Sequence, residues 1–116
     1  MNNELFVSAI KKYVGEAAIE DVLEDLRDPP GRQHSSDELS RSQWYNALSG
    51  DQLQYVRAVV SEAVSHTLFG FFAVLDGVRV IDDKHGTFEL FYKTEDGQRV
   101  LINDSADIGL HDLFNS

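Results

Sequence analysis

The 116-residue chain carries ten Lys and Arg against twenty Asp and Glu, for a formal net charge of −10, and it contains no Cys. The length predicts one domain over residues 1–116, and the absence of Cys excludes a disulfide framework, a thiol nucleophile and a thiolate metal site. Because an acidic surface repels phosphate backbones and anionic lipids, we expect no nucleic-acid and no membrane partner, whereas a basic protein would be attracted.

The amino-terminal residues MNNELFVSAIKKYVGE do not have the pattern of a secretory signal peptide, which places a basic region before an uninterrupted apolar one. The longest apolar stretch, LFGFFAVL at 68–75, is too short to span a bilayer. We therefore predict a cytoplasmic protein.

Two helices are predicted in the first 28 residues. Apolar side chains recur at helical spacing over 3–14, where Asn3 is positioned to cap the helix. A second apolar stripe over 16–28 lies roughly opposite the first, so we expect a break or sharp kink at Gly15. Asp28 and the two prolines after it end the second helix.

The stretch LSRSQWYNALSGDQL at 39–53 repeats one pattern. Ser40 with Gln43, and then Ser49 with Gln52, have the spacing of capping boxes, and each pair is flanked by apolar residues placed for a hydrophobic staple. This pattern predicts a short helix over about 41–48, followed directly by a longer helix from about 50.

The long helix is predicted to run to Leu75 as the core helix, and Asp76-Gly77 ends it. The pattern then changes to strands at 78–81, 87–93 and 99–102, with Asp96-Gly97 as a hairpin turn. We predict an α+β fold in which this three-stranded antiparallel meander packs on the long helix, and a last helical turn near HDLFN returns to the core.

Acidic residues form two rows on the second helix, at four-residue intervals. The rows consist of Glu16, Glu20 and Glu24, and of Asp21 and Asp25. A dinuclear metal site would need His partners three residues on, and these are absent. The rows are either a solvated face that maintains solubility or a docking face for a basic patch.

His111 and Asp112, with Asp104 near them in sequence, are the candidate ligand or metal residues, although no motif spacing supports the site. No residue is predicted to be catalytic and no cofactor is predicted, since hydrolase and nucleotide-binding patterns are missing. Phe69 lies off the main stripe of the long helix, so it is either covered by another element or part of a subunit interface.

Several stretches resemble a group of small bacterial proteins of unassigned function. They are DLRDPPGR (25–32), SQWYNALS (42–49), FGFFAVLDGVRVI (69–81), GTFELFY (86–92) and LINDSADIGLHDLFN (101–115). The resemblance implies a stand-alone bacterial domain and transfers no catalytic residue. In size and acidity, though not in motif, the chain is also similar to immunity proteins of bacterial toxin systems.

These observations favour a non-enzymatic protein-binding module, of immunity or regulatory type, with a basic partner. The five acidic residues would steer the partner, and an aromatic patch with Phe69 would anchor it. Two alternatives stay open. One is a small-molecule or metal-dependent enzyme using His111 and Asp112, and the other is a homo-oligomeric structural subunit such as a homodimer.

Overall fold

The computed structural model describes all 116 residues, and the prediction of an α+β fold is confirmed. One long helix and a small antiparallel sheet are the main elements. In chain order the elements are α1 (Asn3–Ile10), a π-helical segment (Lys11–Glu16), α2 (Ala17–Arg27), α3 (Ser36–Asn46), α4 (Gly50–Leu75), β1 (Phe91–Lys93), β2 (Arg99–Leu101) and α5 (Leu110–Phe114).

The chain packs as two compact units. Unit 1 consists of Met1–Val14 and His66–Ser116, and unit 2 consists of Gly15–Ser65. Helix α4 therefore contributes its amino-terminal part to unit 2 and its carboxy-terminal part to unit 1. This division describes packing only, and a single folding domain over residues 1–116 stays a prediction.

The amino-terminal helices differ in detail from the prediction. The cap of α1 is Asn2, whose side chain accepts from the Leu5 N–H at 2.8 Å, whereas the predicted cap Asn3 is already helical. Around Gly15 the helix is not broken but widens into the π segment, in which Gly15 is buried. Because a π turn holds more residues than an α turn, it rotates the apolar stripe that follows it relative to the stripe before it.

Helix α3 begins earlier than its predicted start. Its N-cap is Ser35, whose hydroxyl accepts from the Glu38 N–H at 3.1 Å, so Ser40 lies inside the helix. The second predicted box is confirmed: Gln52 N–H donates to the Ser49 hydroxyl at 3.3 Å, and Ser49 N–H donates to the Gln52 side chain at 3.0 Å. Two reciprocal bonds thus fix the start of α4.

In unit 2, side chains of α3 cap the end of α2. The Ser42 hydroxyl and the Asn46 amide both donate to the carbonyl oxygen of Arg27, at 3.2 and 3.0 Å. This carbonyl lies in the last turn of α2, so it has no hydrogen-bond donor within its own helix. Leu23 of α2 and Tyr45 of α3 are the buried apolar residues of the unit.

Helix α4 is 26 residues long, and by length and composition alone it could cross a membrane. The core helix of a soluble protein meets the same test, but such a helix is mostly buried, whereas only 17% of the apolar stretch of α4 is buried within this chain. Its fully buried residues are Gly70, Phe72 and Ala73, all in unit 1. The rest of its apolar surface is only partly covered.

The sheet has two strands, and the predicted hairpin is confirmed. Strands β1 and β2 pair antiparallel with Phe91 opposite Leu101, and Gly97 takes a φ of +90° in the turn. The predicted first strand at 78–81 is not formed. After Gly77 (φ +80°), the N–H groups of Val78 and Arg79 both donate to the Ala73 carbonyl and cap α4 instead of forming a ladder.

The core of unit 1 joins both ends of the chain. Val7 of α1 and Phe72 of α4 pack with Ile102, Leu110 and Phe114, and Val100 and Leu90 of the hairpin region pack against this cluster. The predicted carboxy-terminal turn is α5, which returns Leu110 and Phe114 to the core. Edge-on contacts between aromatic rings add to the burial, with Phe6 and Phe72 at 6.1 Å between centroids.

Asn103 ties three parts of unit 1 together. Its amide donates to the carbonyl oxygens of Leu75 at 2.7 Å and Phe88 at 2.9 Å, and its oxygen accepts from the Leu90 N–H at 2.8 Å. One side chain thereby links the end of α4 and the segment before β1 to the segment that follows β2.

Candidate functional site

The acidic face of α2 is exposed, as its spacing indicated. All five predicted carboxylates point to solvent. They are Glu16, Glu20, Asp21, Glu24 and Asp25. Unit 2 holds ten of the acidic residues and four of the basic ones, so its formal charge is −6 of the chain's −10. The face therefore lies in the more acidic of the two units.

Two of these five carboxylates are paired within unit 2. Glu20 accepts a hydrogen bond from the Arg57 guanidinium, 37 residues further along the chain, and Glu24 pairs with Arg27 at 2.9 Å. The hydrogen bond from Arg57 holds the pKa of Glu20 below its ordinary value, and the same bond raises the pKa of Arg57. Because both pairs are exposed, each contributes little to stability.

The other three carboxylates make no hydrogen bond or ion pair within the chain. These are Glu16, Asp21 and Asp25. An unpaired carboxylate on a helix surface keeps its full capacity to accept bonds from an external Lys or Arg. The charge available to a partner is therefore at these three positions rather than spread over the whole face.

An open groove of about 430 Å³ runs beside α2, next to Asp25. Its apolar wall is formed by Val22 and Leu26 of α2 and by the prolines that end the helix, and Glu38 and Arg41 of α3 lie opposite. We call this groove, together with Asp21 and Asp25, the α2 docking face. It offers an apolar floor with carboxylates at the rim.

A second cavity, of about 410 Å³, lies on the other side of α2. Leu23 and Tyr45 line it with the Glu20–Arg57 pair and with Leu53 of α4. Its charged groups already satisfy one another, so it presents less free charge than the α2 docking face. The pairing of Glu20 with Arg57 was not predictable from spacing, because no local pattern links residues so far apart.

Phe69 is half-buried in unit 1. Its ring lies edge-on to the His111 ring, with 5.7 Å between centroids, so an element of the same chain covers part of it. Its neighbour Phe71 is the more exposed of the two rings.

His111 is held by Asp76, a residue that sequence reasoning did not single out. One carboxylate oxygen of Asp76 lies 2.5 Å from Nδ1 of His111 and accepts the His111 backbone N–H at 2.9 Å. Asp76 follows α4 and His111 is in the first turn of α5, so the carboxylate caps α5 and ties it to the end of α4. This geometry gives the pair a structural role.

The three candidate ligand residues are not brought together as a metal site. Asp112 lies 3.4 Å from Nε2 of His111, but Asp104 uses its carboxylate to accept the Ala106 N–H in a local turn. No group of three His, Cys, Asp or Glu side chains has the geometry to hold a metal ion.

Comparisons with known proteins add no relative. No protein-family model matches the chain, no curated protein matches it, and no solved structure matches it.

Proposed function

We propose that the chain is a non-enzymatic protein-binding module whose α2 docking face receives a basic partner. The supporting observation is that Asp25 lines an apolar groove formed by Val22 and Leu26, and that Asp25 and Asp21, one turn before it on α2, are exposed and unpaired. A solvated face that serves only solubility needs no apolar groove beside its charges.

The partner that fits is an amphipathic segment carrying Lys or Arg next to an apolar side chain. The apolar side chain would fill the groove, and the cations would pair with Asp21 and Asp25 at its rim. Rim charges act mainly on the rate of association, and the buried apolar anchor supplies most of the affinity.

The uneven charge of the chain supports this proposal. With a formal charge of −6 on 51 residues, unit 2 attracts a basic protein from a distance and repels nucleic acid. An immunity or regulatory protein that neutralises a basic target has these requirements, and we propose a role of this type.

The test uses two variants with the same change in net charge. Asp21→Asn/Asp25→Asn removes the free carboxylates of the docking face, and Glu89→Gln/Glu95→Gln removes two exposed, unpaired carboxylates of unit 1. Immobilised wild-type chain captures partners from a lysate of the source organism at low salt, and each captured protein is purified for calorimetric titration.

We expect the captured protein to be basic. Its Kd should rise about tenfold for Asp21→Asn/Asp25→Asn, since exposed charge pairs contribute up to about 1 kcal/mol each, and should change less than about twofold for the control pair. The Kd should also rise steeply with ionic strength. Equal Kd values for the two variants, or an affinity insensitive to salt, would contradict the proposal.

A further inference from the structure

Unit 1 carries most of the large apolar side chains that the chain exposes to solvent. Of the 17 large hydrophobic residues that are exposed in the chain, twelve belong to unit 1. They include Phe71, Val78, Val80, Ile81 and Phe88, which occur in one stretch of sequence. Single exposed apolar residues are ordinary, but a contiguous set of them indicates an interaction surface.

Four apolar residues of unit 1 line one groove. A cavity of about 430 Å³ lies between Val74 of α4 and the segment 77–88, where Val80, Ile81 and Phe88 form its wall. Phe71 lies one turn before Val74 on the same face of α4 and is 59% exposed, so it extends the helical wall. We call these five residues the apolar groove.

The segment 78–81 has the composition of a strand but no strand partner. Val80 and Ile81 make no backbone hydrogen bond within the chain, and they are 78% and 65% exposed. β-branched residues favour paired, half-buried strands, and an unpaired segment of this kind presents free N–H and C=O groups to another chain.

The charges around the apolar groove favour a second copy as the occupant. The cavity is flanked by two basic residues, Arg79 and Lys84, and by two acidic residues, Asp82 and Asp83, so its formal charge is zero in a chain of −10. Residues 63–75 contain no Asp, Glu, Lys or Arg. In a twofold-symmetric interface the same patch of each copy meets, and a patch that carries both positive and negative residues can form ion pairs with its counterpart.

The accessible surface leaves room for such an interface. It is 8647 Å², whereas a compact monomer of 13.0 kDa exposes about 6,300 Å². Even if the two units are counted as separate bodies of their sizes, they would expose only about 7,600 Å². The excess of about 1,000 Å² belongs to the chain as a whole, and it exceeds the roughly 800 Å² that each partner buries in a standard interface.

We propose that two copies of the chain associate through the apolar groove, with Phe71 and Val80 as the main anchors. The surface differs from the one considered on sequence grounds, because Phe69 packs partly against His111 and Phe71 faces outward. The apolar groove belongs to unit 1, whereas the α2 docking face belongs to unit 2.

The test is sedimentation equilibrium of the full chain over micromolar concentrations. We expect a mass of twice 13.0 kDa for the wild type. Phe71→Glu and Val80→Asp, each made alone, should raise the Kd of the dimer at least about 30-fold, as expected for anchors of an interface. Tyr55→Glu is the matched control, because Tyr55 is a 73% exposed aromatic residue of α4 outside the groove.

Circular dichroism and thermal unfolding show whether each variant is folded. Because Phe71→Glu and Val80→Asp are made separately, the test still stands if one of them does not fold. A wild-type chain that stays monomeric overturns the proposal, as does a Tyr55→Glu variant that dissociates as readily as the other two. Flotation of the wild type, but not Phe71→Glu, with phosphatidylcholine vesicles would also overturn it, because the occupant of the groove would then be lipid.

Discussion

Replacing Asn103 with Ala should lower the free energy of unfolding by about 2–3 kcal/mol. The change deletes three hydrogen bonds of 2.7–2.9 Å to main-chain atoms of Leu75, Phe88 and Leu90. The bonds to Leu75 and Leu90 are partly buried and worth about 1 kcal/mol each, whereas the exposed bond to Phe88 is worth less, about 0.5 kcal/mol. At about 4 °C per kcal/mol, the Tm should fall by about 10 °C.

The assay is urea and thermal unfolding followed by circular dichroism, with two further variants. Asn103→Asp keeps the acceptor for the Leu90 N–H but points a carboxylate at two carbonyl oxygens, so at neutral pH it should be no more stable than Asn103→Ala. Because those oxygens raise the pKa of the introduced carboxyl in the folded state, its deficit should shrink as the pH falls through that pKa.

Asn115→Ala is the matched control, since the exposed Asn115 side chain makes no hydrogen bond. It should change stability by less than about 0.5 kcal/mol. A stability of Asn103→Ala within that same range would refute the role assigned to Asn103.

Three further outcomes are expected. Ser49→Ala should cost about 1 kcal/mol of stability in urea unfolding because it removes the cap of α4, whereas Ser40→Ala, inside α3, should be neutral or slightly stabilising; equal costs would contradict the assigned helix start. NMR titration should place the pKa of Glu20 below its ordinary value, and Arg57→Gln should raise this pKa. The pair stabilises the fold at higher pH, and its contribution is lost as the pH falls through the lowered pKa. A Glu20 titration curve that Arg57→Gln leaves unchanged would rule out this pairing in solution. Gly77→Ala should cost about 1 kcal/mol in the same unfolding assay because its φ is +80°, and a neutral result would mean that the end of α4 is not held in that conformation.

The parts of the fold that local chemistry decides were predictable. The hairpin follows from Asp96-Gly97, because a positive φ at Gly97 is a property of those few residues alone. The box of Ser49 and Gln52 is local in the same sense, since each residue satisfies a backbone group of the other. Such signals need no information from distant residues.

The start of α3 shows where local chemistry is insufficient. Both Ser35-x-x-Glu38 and Ser40-x-x-Gln43 have the spacing of a capping box, so the pattern alone does not choose between them. The structure uses the first, and in it Ser42 bonds the end of α2. A contact across 15 residues leaves no periodic trace in the sequence.

The failed strand at 78–81 has a related cause. Its residues favour a strand by composition, but propensity becomes structure only where a neighbouring strand supplies the ladder. Within this chain the first two N–H groups are used to end α4 instead. The candidate site divides in the same way. The acidic rows on α2 follow from spacing, whereas the pairing of Glu20 depends on the position of Arg57, 37 residues further along the chain.

The core of unit 1 has a consequence for biosynthesis. Val7 is translated well before its core partners Leu110 and Phe114. At about 5–20 residues per second, the roughly 100 residues between Val7 and Leu110 take about 5–20 s to translate. Throughout that interval the nascent chain carries α1 without Leu110 and Phe114 to complete its core, so a chaperone that shields α1 during translation should raise the yield of folded protein.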